Sequence, residues 1–187
     1  MDLKTLKKAF AILATRLKAE LAEDIPVTIY LIGSAAALLR GDLDRDAKDC
    51  DMVSYDPVTI QTEIENAVGD VSSELGLESE WLNNQAYFFA DYLPSGWKDR
   101  TETVFNDDNL TVRAPSRSDI LVTKAMGMLR TGEDKHRADL IAMHPTADEV
   151  ALTIDVIKNI GYRCNEVFDQ LVEELMRLQE NLGAEPE

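Results

Sequence analysis

"VTIYLIGSAAALLRGDLDRDAKDCDMVSYDP", residues 27–57, carries the reading of the fold. "VTIYLI" (27–32) is a short β-branched and apolar run, the pattern of a strand buried on both faces. Gly33-Ser34 follows, and "AAALLR" behind it has high helix propensity. This order places Gly33 in a tight strand-to-helix turn and Ser34 at the N-cap of the helix. An acidic segment then leads to "DCDMVSY", which reads as a second strand closed by Asp56-Pro57.

Outward from this unit, Leu3, Leu6, Phe10, Leu13, Leu17 and Leu21 recur at spacings of three and four. They predict an amphipathic first helix that ends before Pro26. Residues 58–75 predict another helix, with Ile60, Ile64, Ala67, Val68 and Val71 on one side. Between 76 and 109 "AYFFADYL" reads as a strand and "PSGWKDR" as a turn. "ETVF" and "LTVRA", split by Asn106-Asp107-Asp108-Asn109, read as a hairpin. From Ser116 the pattern is helical. Ser116 or Ser118 caps a helix carrying Ile120, Leu121, Lys124, Met128 and Leu129, which Gly132 ends. Further helices are expected near 134–144 and 147–160. A last one presents Phe168, Leu171, Leu175, Leu178 and Leu182 as a stripe, for packing on the domain or on a second copy. The expected fold class is α/β, with a helical tail.

A chain of 187 residues can bury one good core. Its apolar share of 45 % is that of an ordinary globular protein. No apolar run is long enough to span a membrane, and the N-terminal segment scatters charge where a signal peptide needs an apolar core, so a cytoplasmic protein is expected. Cys50 and Cys164 lie far apart without zinc-ligand spacing and read as buried thiols. The net charge of −16 excludes a general nucleic-acid coat, though not a local basic groove.

Five aspartates fall between positions 42 and 51. Asp42, Asp44 and Asp46 have the one-three-five spacing of a calcium loop, but position six is Ala47 and position twelve is Val53, where glycine and glutamate belong. Asp49 and Asp51 make the better pair. On a strand they share one face at about 6–7 Å along the chain, while Cys50 points the other way. Two carboxylates so placed suit Mg2+, whose remaining positions water and substrate phosphates can fill. Asp-x-Asp also occurs at 42/44 and 44/46, so the pair takes its weight from its setting. That setting is the Gly33-Ser34 turn, where helix N-terminal amides and a bare Cα can cradle phosphate. A Gly-x-x-x-x-Gly-Lys-Ser/Thr motif is absent, so this is not a P-loop protein.

"IGSAAALLRG" followed by "RDAKDCDMV" resembles the first motif of the DNA polymerase β-type minimal nucleotidyltransferase superfamily. "LPSGWKDR" (93–100), "LTVRAPSRSDILVTKAMGMLR" (110–130) and "EDKHRADL" (133–140) narrow the resemblance to the DUF6036 and AbiEii-like group, which includes toxins of type IV toxin–antitoxin systems. The resemblance covers roughly residues 25 to 145 and implies an α+β fold, a small mixed sheet flanked by helices. On this reading residues 1–115 form the nucleotidyltransferase-like core and 116–187 a helical region packed on it. It implies transfer of a nucleoside monophosphate from an NTP to an acceptor hydroxyl, with Mg2+ or Mn2+ as cofactor. Gly33 and Ser34 then bind triphosphate with Arg45 and Lys48 nearby, Asp49 and Asp51 hold the metal, Lys124 contacts phosphate and Asp139 is the second acidic position. The implied acceptors are RNA, protein or a small molecule, and an antitoxin is an implied partner.

Two departures from the family pattern stand out. Lys135-His136 replaces the usual Lys-Asp, and no third metal-binding carboxylate is convincing among Asp91, Glu102 and Asp108. The alternative reading is therefore a catalytically degenerate module that binds nucleotide or a partner, dimerising through the C-terminal stripe. By periodicity alone Lys124 is a solvated helix residue, and His136 and His144 are surface or capping residues; Arg45, Lys48, Arg100, Arg113 and Arg117 either line an anionic groove or, as scattered charges, face solvent.

Overall fold

The computed structural model describes residues 1–21, 25–131, 134–160 and 166–183. Cys164 and Gly132, to which the sequence assigned a buried thiol and a helix end, lie outside them.

The chain opens with α1 (Leu3–Glu20), whose first turn is capped by Asp2 accepting from the Thr5 amide at 2.6 Å. Its leucine stripe is buried as predicted, from Leu6 through Leu17. Strand β1 (Val27–Ile32) leads directly into α2 (Gly33–Arg40), and a loop anchored by buried Leu43 and Ala47 brings the chain to β2 (Cys50–Asp56). A single 3-10 turn at Val58–Ile60 precedes α3 (Gln61–Leu75), which packs on α1. The short β3 (Leu82–Asn83) and the hairpin of β4 (Glu102–Asp107) and β5 (Leu110–Ala114) complete the sheet. Four helices follow: α4 (Arg117–Thr131), α5 (Asp134–Ala142), α6 (Ala147–Ile160) and α7 (Glu166–Gly183).

The five-stranded sheet runs β3-β2-β1-β5-β4. β1 is antiparallel to β2 and parallel to β5, while β2 is parallel to β3, so the sheet is mixed and the fold is α+β. β1 is central, which fits its near-continuous apolar run. Phe10 of α1 meets Trp81 edge-on at 5.6 Å and Phe105 of β4 at 5.8 Å, tying the first helix to both ends of the sheet. Trp81 is buried, and its indole donates to the Val68 carbonyl at 3.1 Å. One apolar cluster extends from Leu6 to Leu175, joining sheet and C-terminal helices. Among the described residues no helix is long and apolar enough to cross a membrane.

Two local expectations are corrected. "AYFFADYL" does not form a strand: Tyr87–Tyr92 is a run of 3-10 turns. Tyr87, Phe88 and Phe89 are consecutive and do not alternate, and β3 pairs only with Cys50 and Asp51 of β2. Ser34 is not the N-cap of α2, because the helix begins at Gly33 and its N-cap is Ile32. Gly33 has φ +74° and turns the chain off β1 in a region that disfavours a side chain. Ser34 therefore lies within the first turn, and its hydroxyl is turned to another use.

Candidate functional site

Asp51 occupies the second position of β2, and Gly33 heads α2 beside it. A Cβ on Gly33 would stand 2.8 Å from Asp51 Oδ2, so only glycine lets this carboxylate lie against the helix start. The N-cap position, Ile32, offers no side-chain hydrogen bond, and the first-turn amides of α2 are left for another acceptor. Burial raises the Asp51 pKa and Asp49 adds to the rise, while Lys124, Lys135 and Lys48 oppose it. Asp49 is half-buried just before the strand, close enough to act on Asp51 electrostatically. Cys50 between them is fully buried on the core side, a thiol whose ionisation burial suppresses.

Lys124 comes from the middle of α4 and is 3 % exposed, contrary to its reading as a solvated residue. Its ammonium donates to Asp139 Oδ2 at 2.5 Å and to Ser34 Oγ at 2.8 Å. Ser34 Oγ in turn donates to Asp139 Oδ2 at 2.8 Å and accepts from Arg45 Nη2 at 3.1 Å. One donor and two acceptor positions are all a hydroxyl has, and Ser34 uses them within this network. Arg45 Nε reaches Asp139 Oδ1 at 2.6 Å. Asp139 is 1 % exposed; burial alone would raise its pKa, but Lys124, Arg45 and Ser34 bring it below the ordinary value. Burial pulls the Lys124 ammonium down, against Asp139, with Arg45 adding to the fall and Asp51 opposing it.

These elements close on a cleft of about 280 Å³. Gly33 and Asp51 form one side, Thr123, Lys124, Lys135 and His136 a second, and Gln85, Ala86, Phe88 and Phe89 a third. A larger cleft of about 500 Å³ beside α7 is lined by Met128, Leu175 and Leu178 of the helical stripes and by none of the candidate site residues.

The structure thus brings Gly33, Asp51 and Lys124 to one cavity and holds Ser34, Arg45 and Asp139 behind Lys124. Lys48 is exposed beside the acidic loop. The other arginines are tied down: Arg100 to Asp119 at 2.9 Å, Arg113 to the Thr101 carbonyl at 2.6 Å, and Arg117 to Glu149 at 2.7 Å and Asp42 at 3.3 Å. Asp42 also pairs with Arg40 at 2.7 Å, which makes it an anchor of the loop. His136 lines the cleft and is not a surface or capping group; its ring lies so close to α4 that a Cβ on Gly127 would meet Nδ1 at 2.6 Å. The third wall was missed in the sequence, because its aromatics were assigned to a strand.

Gly33 and Asp51 of the first motif and the α4 lysine line one cleft. The chain belongs to the DUF6036 family. The family model, described as a nucleotidyltransferase of unknown function, matches residues 8–177. No curated protein and no solved structure matches the chain. DUF6036 membership points to an NTP substrate and a divalent metal. Asp49 and Asp51 are the two carboxylates that could serve a hard cation, and burial first and Asp49 second raise the Asp51 pKa, a rise that a positive charge would relieve. Glu102 pairs with Arg40 at 2.9 Å and Asp108 with Lys18 at 2.9 Å, and neither lines the cleft. Among the described residues, no group of three His, Cys, Asp or Glu side chains could hold a metal ion.

Proposed function

We propose that this DUF6036 protein transfers a nucleoside monophosphate from an NTP to an acceptor hydroxyl. The observation that carries the reading is the placement of Asp51 against Gly33, which sets a carboxylate beside uncapped helix amides. Asp49 and Asp51 would hold Mg2+ or Mn2+, which supplies neutralisation of triphosphate charge and a lower pKa for the attacking hydroxyl. The first-turn amides of α2 hold the β- and γ-phosphates. Lys124 stabilises the charge that gathers on pyrophosphate as the bond from the α-phosphorus to the bridging oxygen breaks and the bond to the acceptor oxygen forms. Asp139, Ser34 and Arg45 position Lys124, and Lys48 and Lys135 add positive potential near Asp51. We assign the nucleotidyltransferase core to residues 1–115 and the helical region that supplies Lys124 and Asp139 to 116–187.

The experiment is incubation of the protein with each α-labelled NTP, Mg2+ and, in turn, tRNA, lysate protein and small-molecule fractions. Label on one acceptor class with the wild type, and none with Asp49→Asn or Asp51→Asn, is the expected result; an unchanged rate in either variant overturns the assignment. A role as the toxin of a type IV pair in the cytoplasm, with an antitoxin partner as in the AbiEii-like group, rests on the motif resemblance. The same proteins test it, because growth arrest should follow expression of the wild type only.

A second reading, a nucleotide- or partner-binding module without transfer, is supported by the two-carboxylate donor set. The β3 residue in register with Asp51 is Asn83, an amide that cannot stand in for a third carboxylate. Nucleotide binding without label transfer in the same assay would select this reading. Its homodimer would have to form outside Leu171 and Leu175, which are buried within the chain.

A further inference from the structure

The third wall of the cleft has no part in the metal or phosphate chemistry. With five Phe, five Tyr and two Trp in the whole chain, four aromatics in the six residues Tyr87–Tyr92 is a marked concentration. None of the six is buried, and Tyr87 and Phe88 are 67 % and 36 % exposed. Hydrophobic rings left at the surface of an enzyme cleft call for an occupant.

The segment is firmly backed. Phe89 packs against the cluster of Ile32, Val53, Ala86 and Leu93, and against Tyr92 at 6.0 Å. Phe88 lies on Phe89 at 4.7 Å between ring centroids, tilted by 32°. The turns contact both β2 and α4, the elements that carry Asp51 and Lys124. One cleft therefore offers an acid, a cationic wall and an aromatic face. A nucleoside triphosphate has the complementary parts: a metal-binding and anionic chain at one end and a flat π-surface at the other.

We propose that Phe88, backed by Phe89 and Ala86, is the stacking platform for the base of the bound nucleotide. This deepens the nucleotidyltransferase reading and rests on it. Stacking accepts any base, since each has a π-face. Gln85 lines the same wall and can address the base edge. Its Nε2 is held by Glu80 Oε2 at 2.9 Å, which fixes the amide's orientation.

The test is equilibrium binding of NTP and of tripolyphosphate, each with Mg2+, to the wild type, Phe88→Ala and Phe88→Trp. The proposal expects Phe88→Ala to weaken NTP binding by roughly tenfold or more, within the range for loss of one base stack. Phe88→Trp should retain it, and tripolyphosphate, which has no base, should bind all three proteins alike. Equal NTP affinity for wild type and Phe88→Ala overturns the platform and leaves the nucleotide site standing. Equal loss of NTP and tripolyphosphate binding in Phe88→Ala also overturns it, because the defect would then not concern the base. If the wild type binds no NTP, the nucleotidyltransferase reading fails and the platform fails with it.

Discussion

At the scale of single residues, the site is built from charges held where they are costly. Asp51 has a raised pKa because it is buried and faces Asp49, so its ionised form works against folding. The penalty is absent below the ordinary carboxylate value of 3.8 and complete once the pH exceeds the raised value. Asp51→Asn should therefore be more stable than wild type in metal-free buffer at neutral pH. Denaturation curves at pH 7.5 and near pH 3.5 check this, and the gain should vanish in acid. Asp139 acts in the opposite sense, since its partners stabilise its charge. Asp139→Ala should cost about 3–5 kcal/mol, because Lys124 is then buried without its counter-ion. Lys124→Met in the same chain should recover much of that stability, by the same measurement, without restoring transfer. Gly33 and Asp51 lie on one local strand-helix-strand unit, so their proximity was within reach of the sequence. The burial of Lys124 was not, because it is set by Asp139 on another helix and by Ser34, which is 105 residues away from Asp139.

At the scale of elements, periodicity was a sound guide wherever one face of an element meets the core. The stripe of α1, the apolar β1, the β4–β5 hairpin and the four C-terminal helices all stand close to where their patterns place them. Ser116 caps α4 as expected: its Oγ accepts from the Asp119 amide at 3.2 Å, and Arg100 closes the same helix start by pairing with the Asp119 carboxylate. Periodicity fails at Tyr87–Tyr92, where the aromatics follow no face, and that segment forms the aromatic wall of the cleft. The C-terminal stripe was ambiguous from spacing alone, since the same heptad-like pattern serves an intramolecular or an intermolecular partner. In the fold α7 packs on α4 and α6, and Leu175 is 1 % exposed. Leu175→Ala should destabilise the protein by about 2–5 kcal/mol. The loss should be independent of protein concentration in thermal unfolding; a concentration-dependent loss would place the stripe against a second copy.

At the scale of the whole molecule, a chain of net charge −16 sets three of its 19 Lys and Arg side chains to act on Asp51. Lys124, Lys135 and Lys48 all act on Asp51, and the apolar cluster shared by the sheet and the C-terminal helices holds α4 and α5 in place around the turn at Gly33. Long-range attraction of a polyanion is excluded by this charge, so a nucleotide must be held by short-range contacts within the cleft. The turn between β1 and α2, together with Asp49 and Asp51, is the proposed metal–triphosphate site. Its most direct test is a crystal structure with Mn2+ and a non-hydrolysable NTP analogue, using anomalous scattering to locate the metal. The expected result is a manganese peak bridging the Asp49 and Asp51 carboxylates, with the triphosphate over the first turn of α2. A nucleotide bound elsewhere, or an analogue in the cleft with no manganese at the two aspartates, would contradict the account.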